Sequence, residues 1–248
     1  MIEVKNVYLK FEGKEVLTDI NTCFIPGKIN MVIGSSGSGK TVLLKCVVGL
    51  LHPTKGDVLY DGRNFTQMDY YAKKDIRHEI GMLFQGGALF NSLTVEENVG
   101  FPLKMFTNKT AKQITDRVNF CLERVNLAKV NRLFPSELSG GMQKRVGIAR
   151  AIVMNPKYMF CDEPNSGLDP KTSRVIDHLI KEITVEFKTT TIVNSHDMAS
   201  VFAIADKVLF IHKGQKWWEG TAREIRKSQN SELLQMIEAS GQEMDEEL

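Results

Sequence analysis

Gly34-Ser35-Ser36-Gly37-Ser38-Gly39-Lys40-Thr41 is the stretch on which the reading of this chain of 248 residues turns. Its spacing is G-x-x-x-x-G-K-[S/T], the pattern of a phosphate-binding loop. Residues 28–33 before it form a short β-rich run after a Pro26-Gly27 turn, and residues 42–48 after it read as a buried helix. Strand, glycine loop and helix are what a phosphate cradle requires. The glycines leave backbone N–H groups free to converge on oxyanions, and the helix N-terminus adds a favourable dipole. Gly34 through Gly39, with Ser35, Ser36, Gly37 and Ser38 between them, would wrap the phosphates of a nucleoside triphosphate. Lys40 would reach the β- and γ-phosphates, and the Thr41 hydroxyl would ligate Mg²⁺.

Working outward, residues 2–25 alternate as antiparallel strands around a turn at Glu12-Gly13-Lys14. Phe11 ends the first of them. It could stack on a purine base or be an ordinary strand-edge aromatic, and position alone leaves both open. Residues 80–84 read as a buried strand ending at Gln85, and a polar amide at a parallel strand's C-terminal end lies where open α/β sheets bind ligands. Residues 86–156 change to helical spacing and read as an inserted helical lobe. It closes with Leu138-Ser139-Gly140-Gly141-Met142 at the start of a basic helix, a second possible anion site. Residues 158–161 form an apolar strand running into Asp162-Glu163, where an aspartate can hold Mg²⁺ and an adjacent carboxylate can act on the attacking water. A long helix follows Asp169-Pro170, then a strand over 189–194 and Ser195-His196-Asp197. Residues 207–219 read as a closing hairpin around Gly214 whose two tryptophans pack on it, and Thr221 with Glu224 fits a capping box. The alternation predicts a mainly parallel α/β sheet.

Composition narrows the function classes. An apolar fraction of 42% and a charged fraction of 25% are those of an ordinary globular protein. The net charge of +2 conceals an acidic end, with six acidic and no basic residues from Ser231 onward. No Lys/Arg stripe interleaved with aromatics appears, which argues against nucleic acid as a partner. No signal peptide and no run long enough to span a bilayer is visible, so a membrane role would come through a partner. The cysteines at positions 23, 46, 121 and 161 form no CxxC pair, and are expected to be buried, reduced thiols.

Taken together, the motifs resemble, in order and over residues 1–226, the nucleotide-binding subunit of an ABC transporter: a P-loop NTPase with an antiparallel β subdomain and an inserted α-helical subdomain. The resemblance implies ATP and Mg²⁺ as ligands and a head-to-tail dimer closing on two ATP molecules. Each nucleotide would lie between one P-loop and Ser139, Gly140 and Gly141 of the second copy. Glu163 would be the catalytic base and His196 would contact the γ-phosphate. Gln85 would join the Mg²⁺ or water shell with Thr41 and Asp162, Asp169 would signal across the dimer, and Phe11 would stack on the base. The other histidines read as structural.

The segment from Met82 to Val95 and Met142 after the signature glycines resemble the ATPase of Mla-type, Mce-associated phospholipid transporters. Gly86, in place of serine, and Asn165, in place of threonine, depart from that pattern. The resemblance implies an integral-membrane permease, an Mce-domain lipid-binding protein and a small accessory protein as partners, at the cytoplasmic face of the inner membrane. Residues 88–90 and 95–105 would receive the permease. The acidic tail, 227–248, would pack on the opposite subunit or bind the small accessory protein, its amphipathic start favouring packing, and its last residues, 241–248, are expected to be disordered. The alternatives are the ATPase of a small-solute, amino-acid-type importer and a soluble non-transport ABC ATPase. The compact lobe and the lack of a Cys cluster speak against the soluble type.

Overall fold

The computed structural model describes residues 1–240. β1 (Ile2–Phe11) and β2 (Lys14–Phe24) form the expected antiparallel pair, with Phe11 opposite Lys14. After β3 (Ile29–Ile33) come α1 (Lys40–Val47), β4 (Lys55–Tyr60), β5 (Arg63–Asn64), α2 (Tyr70–His78) and β6 (Ile80–Leu83). The helical stretch comprises α3 (Val95–Phe106), α4 (Ala111–Arg124) and α5 (Gly140–Ile152). β7 (Tyr158–Asp162), α6 (Pro170–Phe187), β8 (Thr190–Ser195) and α7 (Met198–Ile204) return the chain to the sheet. β9 (Lys207–His212), β10 (Gln215–Gly220), α8 (Ala222–Ile225) and α9 (Ser231–Ala239) complete it.

Two sheets result. The smaller has the order β2-β1-β4-β5 and is antiparallel; the larger has the order β10-β9-β3-β8-β7-β6. Within the larger sheet only β10 runs antiparallel to its neighbour. A parallel sheet covered on both faces needs apolar residues at every position, and β3 and β7 are buried along their whole length. Successive side chains then feed opposite cores. Tyr158, Phe160, Ile192 and Val32 join the core shared with α1 and the antiparallel sheet. Met159, Cys161, Val193 and Met31 join the core under α3 to α7.

Local chemistry explains the helix starts. Thr94 and Thr110 each cap their helix within a full capping box, closed by Glu97 and Gln113. The Glu224 carboxylate accepts from the Thr221 N–H at 2.7 Å, as the sequence pattern predicts. Helix α2 goes unseen in the sequence because Ile76 is its sole buried residue, too little for an apolar stripe. α9 seats Leu233 and Ile237 in the core of its own chain, while the expectation of disorder at 241–248 lies outside the described residues.

One expectation is corrected. Cys46, Cys121 and Cys161 are buried, and burial pushes their thiols up to about 11, 11 and 12. Cys23 is exposed, because it sits on the outward-facing side of the edge strand β2, next to the buried Phe24.

Asp61 joins the two sheets. Its carboxylate takes the N-terminal ammonium and the Lys157 ammonium, and accepts from the Tyr158 hydroxyl at 2.7 Å. Partial burial opposes ionisation, but these partners outweigh it and hold the carboxyl well below the ordinary range. A depressed acid stabilises the fold above its unfolded value and loses that contribution as pH falls. Asp61→Asn therefore lowers Tm clearly at pH 7, and because the carboxyl is held so far down the gap narrows mainly as pH falls through about 3 toward 2; calorimetry from pH 7 down to pH 2 checks this, and a gap that stays constant contradicts the ion-pair account.

Candidate nucleotide site

The loop between β3 and α1 is built as its glycines require. A Cβ on Gly34, at φ +152°, would lie 2.2 Å from the Ile211 carbonyl oxygen, and one on Gly39, at φ +108°, would lie 3.0 Å from Leu17. Neither position admits a side chain without displacing backbone or core. Around this loop Lys40 is buried and its ammonium donates to the carbonyls of Gly34 at 2.7 Å and Ser35 at 3.0 Å. Burial lowers its pKa, with Glu163 and Asp162 opposing the shift. The buried Ser38 hydroxyl has no partner among the described residues. A cation made costly by burial, an unpartnered hydroxyl and a glycine-only loop fit a polyphosphate, which would satisfy all three.

Asp162, at the end of β7, receives the Thr41 hydroxyl at 3.2 Å and the Asn194 amide at 3.1 Å. The Thr41 hydroxyl and the Asp162 carboxylate, two oxygen groups on elements far apart in sequence, fit a hard cation such as Mg²⁺. Glu163 follows in the left-handed region, at φ 48°, with its N–H donated to the Asn194 carbonyl at 3.0 Å. That turn aims its carboxylate at His196, whose Nδ1 lies 2.8 Å from Glu163 Oε2. A carboxylate here orders the imidazole tautomer that carries its hydrogen on Nδ1. Gln85 donates its side-chain amide to the Ser166 hydroxyl at 3.4 Å. Ser35, Lys40, Thr41, Gln85, Glu163 and His196 line one cavity of about 1300 Å³, which continues to α9.

Not every residue singled out in the sequence meets there. Phe11 is exposed at the end of β1 and does not line the cavity. Ser139 caps α5 by accepting from the Met142 N–H at 3.3 Å, and Gly140 and Gly141 face Leu168 and Thr172 rather than the P-loop. Asp169 caps α6, accepting from the N–H groups of Lys171 and Thr172 at 3.0 Å each, and hydrogen bonding with Thr172 holds its carboxyl low.

Two residues escaped the sequence reading. Asn194 bridges Asp162 and Glu163, as just described. Lys144, buried on α5, donates to the Gln85 carbonyl and, at 3.5 Å, to the Glu163 carbonyl. Its signal was available: Gly141, Lys144, Ile148 and Ala151 are spaced as one buried helix stripe, and a lone cation on such a stripe needs a partner.

With this geometry in hand, comparison with known proteins is direct. The ABC transporter family profile matches residues 17–166. The chain belongs to the ABC transporter family, as its ATP-binding cassette. It is 38% identical over 96% of its length to the intermembrane phospholipid transport ATP-binding protein MlaF of Haemophilus influenzae, covering 90% of that protein. It is 40% identical over 96% of its length to the methionine import ATP-binding protein MetN of Haemophilus ducreyi, covering 70% of that one. Among solved structures, the cassette MJ0796, in a dimeric post-hydrolysis state bound to ADP and Pi, is 31% identical, with a TM-score of 0.82 over 90% of this chain and 99% of that chain. CbiO1 of Clostridium perfringens, part of an ABC transporter complex, is 27% identical, with a TM-score of 0.84 over 96% of this chain and 94% of that one. The fold is that of an ABC cassette, and the enzyme is an ATPase. Among the described residues no helix is long and apolar enough to cross a membrane.

Proposed function

We propose that this ATPase powers phospholipid movement between membranes, through an integral-membrane permease associated with an Mce-domain lipid-binding protein and a small accessory protein. It would work at the cytoplasmic face of the inner membrane. The observation that carries the reading is the set of exposed apolar side chains on the segment around Gln85 and on α3. Phe84, Phe90, Met105 and Phe106 are 38, 45, 60 and 52% exposed, and the Phe90 ring packs 4.9 Å from that of Phe101. Large apolar side chains gathered at a surface suit a protein partner. The lipid cargo rests on the likeness to MlaF and on Met142 after the signature glycines.

In this reading residues 1–226 are the cassette and 86–156 its helical lobe. Two copies would pair head to tail, a reading that the dimeric state of the MJ0796 cassette supports as far as pairing goes. Ser139, Gly140 and Gly141, turned from their own P-loop, would meet the nucleotide of the second copy, and Asp169 would lie at that junction. Gly34 through Thr41 would bind the phosphates, and Phe11 would reach the base. Mg²⁺, held by Thr41, Asp162 and Gln85, would neutralise charge on the phosphate oxygens. Glu163 would take a proton from water, with His196 fixing its direction. Lys144 ties the Gln85 backbone to that of Glu163, so displacement of the segment after Gln85 by a partner would be felt at the base.

The likeness to MetN favours a second reading, an importer of an amino acid or similar solute. Pull-down of tagged protein from detergent-solubilised native membranes, with proteins and lipids identified by mass spectrometry, separates the two. A permease with an Mce-domain protein and phospholipid is expected. A permease with a solute-binding protein and no lipid establishes the importer, and no membrane partner overturns both.

A further inference from the structure

Next to Glu163 along the same cavity lies a partly buried polar cluster that the nucleotide chemistry does not use. Asn165, in the turn after Glu163, places its two amide hydrogens on Asp177 Oδ1 at 2.8 Å and on Ser200 Oγ at 2.9 Å. Ser200 Oγ in turn lies 2.8 Å from Asp177 Oδ2 and 3.1 Å from Asp197 Oδ2. A hydroxyl has one hydrogen to donate, so it can serve only one of these two carboxyl oxygens. The other contact needs a hydrogen from the carboxyl side. Asp197 begins α7, where its Oδ1 caps the helix by accepting from the Ala199 N–H at 2.9 Å. Asp177 is 5% exposed in the middle of α6. The contacts among Asp177, Ser200 and Asp197 are all served if the chain of donation runs from Asp177 to Ser200 to Asp197, while Asn165 Oδ1 has no partner among the described residues.

We propose that Asp177 is a neutral carboxylic acid in the folded protein and acts as a positioning residue, donating through Ser200 to Asp197 and so holding Glu163 and His196 in register. Asn165 stands two residues after Glu163, and Asp197 directly follows His196. The cluster thereby spans the backbone segments that carry the pair separated by 2.8 Å. The departure from threonine at position 165 is then purposeful, since threonine has no second hydrogen to reach both partners. Burial raises the Asp177 pKa, the bonds from Ser200 and Asn165 oppose this, and the nearby Asp197 charge adds to it. The Cys161 thiol on β7 also neighbours Asp177, but burial pushes it up to about 12, so it adds no charge at neutral pH. Arg174, one turn earlier on α6, lines the same cavity and is exposed, with no ion pair to Asp177 among the described residues.

The inference rests on the reading of Glu163 and His196 as the hydrolytic pair, so its test has one arm that does not depend on hydrolysis. Carboxyl carbon-13 NMR of Asp-labelled protein, with Asp177 assigned by its loss in Asp177→Asn, should show a protonated acid at pH 7. A signal already ionised below pH 4 overturns the proposal. Thermal melts give a second reading. An acid whose pKa is raised by folding weakens the fold as pH rises above its unfolded value, so the Tm of Asp177→Asn should exceed that of the wild type at pH 8 and approach it near pH 5. In ATPase assays Asp177→Asn, whose amide donates where the acid did, should keep kcat within about twofold, while Ser200→Ala lowers kcat by about tenfold with the KM for ATP little changed. Equal loss in Asp177→Asn and Asp177→Leu would show that the charge is needed, and full activity in Ser200→Ala would remove the link.

Discussion

Replacing Glu163 by glutamine lowers ATP turnover by about 10²- to 10⁴-fold, the range that a positioned general base supplies. The amide keeps the volume and can still hydrogen-bond His196 Nδ1, 2.8 Å from the present carboxylate oxygen. What it cannot do is accept a proton from water. The backbone at Glu163 is held independently of the side chain, by its N–H to Asn194 and its carbonyl to Lys144, so the turn keeps its shape. Nucleotide affinity should therefore stay within about threefold, because the loss falls on the transition state rather than on binding. Single-turnover hydrolysis, with binding followed by a fluorescent ATP analogue, separates the two. Hydrolysis near the wild-type rate would remove Glu163 as the base.

Lys40→Ala acts on the other quantity. The ammonium is buried inside its own loop, donating to the Gly34 and Ser35 carbonyls, and burial already lowers its pKa. A phosphate oxygen offers this cation a charged partner in place of two neutral carbonyls, and hydrogen bonds to charged groups are worth about 1.5–3 kcal/mol. Affinity for ATP should fall by roughly 10- to 100-fold on that scale. The rise in Tm that ATP brings to the wild type should shrink at the same ligand concentration. Titration calorimetry checks this directly. Unchanged affinity would mean that the loop does not cradle phosphate.

Features with local causes could be read in advance. The phosphate loop is legible because Gly34 and Gly39 answer backbone demands that neighbouring residues impose. The strands at β3 and β7 are legible because double-sided burial calls for largely apolar runs, and the capping box at Thr221 marks the start of α8. Helix α2 was missed because one buried side chain makes no periodicity. The reading of all four thiols as buried failed at Cys23 because β2 is an edge strand with an open side. Asn165 was visible as an unusual residue without a role, since its partners Asp177 and Ser200 lie on two other helices.

The order of the motifs, the phosphate loop and the alternation of strands and helices, and hence the family of the fold, are all legible in the chain of residues alone. Each is written in short spans where φ angles, caps and periodicity act between neighbours. The tertiary structure alone decided which side chains meet. The parallel register that sets Asp162 beside Asn194 brings Glu163 and His196 to the same sheet edge, and the packing of α6 against α7 closes Asp177 on Ser200. Pairings of this kind depend on strand order and helix packing summed over the whole core, and no local stretch of residues contains them.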